Sequence, residues 1–148
     1  MWNAKRSVIL SCICTKIVIV FSVLFLLTAP YWVGLYVDYA SKNADIKNPL
    51  IFTVYAAGIV SLVLLFSLNK LLSNIRNENV FIFDNVKLLR AISWCCFVVA
   101  VILLFSGFYY ILFLFGAVAA GFFGLILRVV KNVIEQAVII KNENDFTI

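Results

Sequence analysis

Long apolar stretches alternate with short polar gaps along this chain. Residues 17–37 read IVIVFSVLFLLTAPYWVGLYV, about the length that a helix needs to cross roughly 30 Å of hydrocarbon. Residues 50–72 form a second run of that kind. From 91 to 130 there are 40 residues, of which only Arg128 is charged. One helix of that length would measure about 60 Å, twice the bilayer core, so the segment must fold back. The corner is predicted at FSGFYY, residues 105–110, where Ser106 and Gly107 supply turn chemistry. The pattern therefore predicts an all-α membrane protein, a single domain over 1–148. Its four transmembrane helices run at about 17–37, 50–72, 91–106 and 109–130.

The gaps are unequal. DYASKNADIKNP separates the first two spans and has no net charge. The longest polar stretch, residues 73–90, separates the second and third. There NEN (residues 77–79) should stop the second helix, since Asn favours turns, and Asp84 or Asn85 should cap the third. Pro30 should kink or end the first helix. After 130, Val129, Val130, Val133, Ile134, Ala137 and Val138 recur at helical spacing, with Lys131, Asn132, Glu135 and Gln136 opposite. This predicts an amphipathic extension of the last helix over about 131–141, ending in a tail to 148. Lys131 and Glu135 are four apart and able to pair.

Composition excludes a soluble reading: 65% of residues are hydrophobic and 13% charged, and mean hydropathy is +1.10. A small soluble core cannot bury so much apolar surface. The net charge of +5 has a membrane explanation rather than a nucleic-acid one. Four spans put both termini on one face. Ten Lys and Arg fall on that face, including Lys16, Arg76, Lys87, Arg90, Arg128 and Lys131, against Lys42 and Lys47 on the other. Basic flanks mark the cytoplasmic side, so a multi-pass plasma-membrane protein with cytoplasmic termini is expected. Lys5 and Arg6 before an apolar run raise a signal peptide, but the run is too long and lacks a clean cleavage site, so an uncleaved anchor is expected.

Candidate chemistry is sparse. The chain has no His, and no span carries an acid, so neither a catalytic constellation nor a cofactor or metal site is expected. Cys12, Cys14, Cys95 and Cys96 read as small buried hydrophobes, with Cys12 and Cys14 the better candidates for acylation. In the fourth span Gly116, Ala120 and Gly124 share one helical face, with Ala117 and Gly121 beside them. Small residues at that spacing let helices approach. They are expected to pack the bundle, with homo-oligomerisation or a permeation path as alternatives.

Two segments, LLSNIRNENVFIFDNVKLLRAISW and VVKNVIEQAVIIKNENDFTI, resemble a bacterial membrane family catalogued as domain-of-unknown-function family 2975. The resemblance covers nearly the whole chain, and its most specific piece is the ending ENDFTI. It implies a four-span bacterial plasma-membrane protein with no assigned activity. It also implies a partnership with a helix-turn-helix regulator encoded nearby.

The expected function is accordingly non-enzymatic: a regulatory or interaction protein working through residues 74–90 and 128–148. Candidate partner-binding residues are Val133, Ile134, Glu143, Asn144, Asp145, Phe146, Thr147 and Ile148. Arg76, Lys87, Arg90, Arg128 and Lys131 anchor this face at the headgroups. Phe146 and Ile148 alternate with Asp145 and Thr147 as strand residues do, so the tail could add to a sheet edge or fold back with Glu143 or Asp145 on Arg76 or Lys87. The bilayer and a cytosolic protein are the expected partners, without direct nucleic-acid contact. The alternative is a subunit of a small transporter or channel.

Overall fold

The computed structural model describes residues 4–39 and 44–145. Four helices follow in order: α1 (Ala4–Tyr39), α2 (Lys47–Arg76), α3 (Phe83–Ser106) and α4 (Leu112–Asp145). A single 3-10 turn, Ala44–Ile46, leads into α2. There is no strand among the described residues. All four helices are long and apolar enough to cross a membrane, and the chain is a multi-pass membrane protein.

The helices outrun the apolar stretches that announce them. α1, α2 and α4 contain 36, 30 and 34 residues. At 1.5 Å per residue they extend about 54, 45 and 51 Å, well past a core of about 30 Å. α3, with 24 residues, extends about 36 Å. α1 starts at Ala4 rather than near 17, and α4 reaches Asp145 rather than 141. A charged side chain marks the edge of a span but does not stop a helix, because each added residue still gains a backbone bond. α1 also continues through Pro30 for nine more residues. Asn142–Asp145 are helical, so the strand-like reading of the tail does not hold for them. Phe146, Thr147 and Ile148 lie outside the described residues.

Neighbours in sequence are neighbours in space: α1 packs on α2, α2 on α3, and α3 on α4. At one end Val33, Val37 and Leu50 form a core with Tyr109 and Phe113 against it. A hydroxyl knot adjoins it. Thr53 bonds the Pro49 carbonyl at 3.0 Å, the Ser106 hydroxyl at 2.8 Å and the Tyr109 hydroxyl. Tyr36 donates to Tyr110 at 2.8 Å and so ties α1 to the turn before α4. This aromatic end anchors Tyr109 and Tyr110 outside α4, which therefore begins at Leu112 and not at 109.

At the other, charged end, Leu71, Leu89 and Ile92 form a second core with Leu127 and Ile134 packed on it. α2 stops here in a Schellman turn: Glu78 N–H donates to Ile75 and Asn79 N–H to Asn74, with Glu78 at φ 64. The stop at NEN is as the sequence predicts, but the start of α3 is not. Its N-cap is Ile82, with no side-chain cap. Asn85, 1% exposed, works as a clamp instead. Its amide donates to the carbonyls of Asn79 (2.7 Å) and Val80 (2.8 Å), and its oxygen accepts from Asn74 (2.8 Å). One buried side chain thus satisfies the loop backbone that no helix bonds.

Candidate interaction surface at the charged end

The fourth helix organises this end. Through the bilayer its small residues lie against α3. A Cβ on Gly116 would sit 3.1 Å from Leu103, and one on Gly124 would sit 3.1 Å from the Phe97 ring and 3.3 Å from Cys96. Gly121 faces Ala100 at 3.9 Å, Ala117 is buried and Ala120 is half-buried. Ser93 donates to the Gly124 carbonyl across the seam at 2.8 Å. The absence of a Cβ at Gly124 is what lets this interhelical bond form in a place where water does not compete.

Beyond the seam a polar cleft opens between α3 and α4, lined by Arg90, Ser93, Trp94, Arg128, Lys131 and Asn132. Glu135 reaches Lys131 at 2.5 Å and Arg90 at 3.5 Å. The pairing of Lys131 with Glu135 is the one that their spacing predicts; the link to Arg90 joins two helices and has no signal in the spacing. The Arg128 guanidinium lies 5.8 Å from the centre of the Trp94 ring, within cation–π reach. Lys87 pairs with Asp84 at 3.6 Å on the exposed start of α3, away from the cleft. Arg76 closes α2.

Past the cleft, the apolar residues of α4 divide in two. Ile134 packs on the charged-end core and Val138 is 1% exposed. Val129, Val133, Ile139 and Ile140 point outward, Val133 being 61% and Ile140 59% exposed. The single stripe expected from the sequence is therefore an inward row and an outward row. Phe81, Ala137, Ile140, Lys141 and Asn144 line a shallow groove between the α2–α3 loop and α4. Glu143 is exposed, and Asp145 ends the helix.

The remaining candidates are dispersed. All four cysteines are free: Cys12 and Cys96 are buried, Cys14 is exposed and Cys95 is half-buried. Among the described residues no group of three Cys, Asp or Glu side chains could hold a metal. Asn85, Ser93 and Asn132 were not singled out by sequence as cleft or clamp residues. Their only signal is polarity inside or beside an apolar run.

The family model described as Protein of unknown function (DUF2975) matches residues 35–148. The chain belongs to this family. Within DUF2975 the match takes in α2, α3, α4 and only the last five residues of α1, so it is narrower than the nearly full-length resemblance expected. The Asn85 clamp, the cleft and the outward row of α4 all lie inside the DUF2975 segment. No curated protein and no solved structure matches the chain.

Proposed function

We propose that this protein is a non-enzymatic regulatory or interaction protein of the bacterial plasma membrane, with its charged end in the cytoplasm and a cytosolic protein docked there. The observation that carries the reading is the outward row of α4. Val133 and Ile140 stand 21 and 28 residues beyond Leu112, or about 32 and 42 Å along the helix. A hydrocarbon core of about 30 Å ends before them, so acyl chains do not cover these exposed side chains. A protein surface does so best, with the groove beside Phe81 as its flank.

Orientation rests on the ten-to-two excess of Lys and Arg at the end that carries the termini. The family resemblance implies a helix-turn-helix regulator as the partner. The small-residue seam, which a transport path would need, is occupied by Leu103, Ala100 and Phe97 of α3, and this favours docking over permeation.

Photo-crosslinking in cells tests the proposal. A crosslinker at Ile140 is expected to give one discrete protein adduct, and one at lipid-facing Phe122 to give none. Val133→Asp, on the exposed side, should abolish the adduct while leaving the protein monodisperse. An adduct that survives Val133→Asp, or adducts to lipid alone, would overturn the reading.

A further inference from the structure

We propose that the cleft between α3 and α4 is a binding site for the phosphate of an anionic lipid headgroup. Three cations, Arg90, Arg128 and Lys131, meet around a space of about 140 Å³. Among the described residues Glu135 is the one carboxylate paired with any of them, through Lys131 and Arg90. Three positive charges against one leave an excess of two. Arg128 has no carboxylate partner among the described residues and rests on the Trp94 ring. The Lys131 side chain is only 13% exposed. A largely buried ammonium that shares one carboxylate with Arg90, beside a guanidinium with no carboxylate partner among the described residues, is an anion site by composition.

Depth selects the source of the anion. Arg128 lies 16 residues after Leu112 and Arg90 lies 16 residues before Ser106. Both are therefore about 24 Å along their helices from the aromatic end, and Lys131 is about 29 Å along. Against a core of about 30 Å, Lys131 stands at the far boundary of the hydrocarbon and the two arginines about one turn inside it, from where their long side chains reach the headgroup phosphates. Trp94, 55% exposed, belongs at the same boundary. Basic pockets between membrane helices at this level suit phospholipid headgroups. The inference rests on the membrane-spanning character of the helices and is independent of the docking proposal.

Native mass spectrometry of the full-length protein in mild detergent tests it, with phosphatidylglycerol, phosphatidylcholine and sodium phosphate as probes. Phosphatidylglycerol should be retained several-fold over phosphatidylcholine. Arg128→Gln should weaken retention about fivefold, the change expected for one headgroup-level cation. Lys87→Gln, the same loss of charge outside the cleft, should change it less than about twofold. Arg128 is exposed, so its substitution does not threaten folding. Equal retention by wild type and Arg128→Gln, or an equal loss in Lys87→Gln, would overturn the site. Displacement of the lipid by millimolar phosphate would overturn the lipid assignment in favour of a soluble anion.

Discussion

Asn85 sits buried between the α2–α3 loop and the start of α3. Its three hydrogen bonds hold the loop after Glu78 against the start of α3. Asn85→Ala leaves the carbonyls of Asn79 and Val80 and the Asn74 amide without a partner in a part-buried place. The expected loss is about 1–3 kcal/mol in an SDS-titrated unfolding equilibrium, with faster hydrogen exchange over 77–82. An unchanged midpoint and exchange rate would show that the loop is held by its apolar contacts instead. The role of Asn85 was not legible in the sequence. An Asn near a helix start reads as a cap, and only the path of the loop reveals that its amide meets carbonyls five and six residues back. Ser93 was hidden for a similar reason: its partner is a backbone carbonyl 31 residues away. Lys131–Glu135, set by helical spacing alone, was fully legible.

Among the elements, the α3–α4 seam makes the sharpest distinctions. Gly124 and Gly121 belong to one small-residue patch, yet their surroundings differ. Gly124→Leu must displace the Phe97 ring, which stands 3.1 Å from the position of the new Cβ. It is expected to cost about 1–3 kcal/mol by overpacking. Gly121→Ala meets Ala100 at 3.9 Å, an ordinary contact, and should be neutral or mildly stabilising because Ala suits a helix by about 0.5–1 kcal/mol over Gly. Thermal unfolding of both variants in one detergent checks the contrast. Equal effects would mean that the seam is not packed as described. The existence and order of the helices were plain from hydropathy, whereas their ends were not. α1 gained residues 4–16 and α4 gained 142–145 because a helix continues wherever its backbone bonds can form, while the apolar pattern records only what lipid touches.

For the whole molecule, orientation is the decisive quantity. The proposed placement of both ends of the chain in the cytoplasm predicts that a C-terminal green fluorescent protein fusion fluoresces and a C-terminal alkaline phosphatase fusion is inactive. The reverse pair of results would invert every assignment made for the charged end. The expected orientation comes from charge counts alone, a bias that errors in helix length do not change. The division of labour among the helices was not readable. α1 packs on α2 and is tied to the far turn by Tyr36, and most of it lies outside the DUF2975 match. α4 crosses the seam, lines the cleft and carries the outward row without a Pro or a break from Leu112 to Asp145. An unbroken rod of that kind is a lever. A tilt imposed where Tyr109 and Tyr110 hold its base displaces Val133 and Ile140 in proportion to their distance along it, and an axial twist reaches them undiminished. The aromatic end of the molecule is thus mechanically connected to the outward row of α4, with no joint between them to absorb the motion.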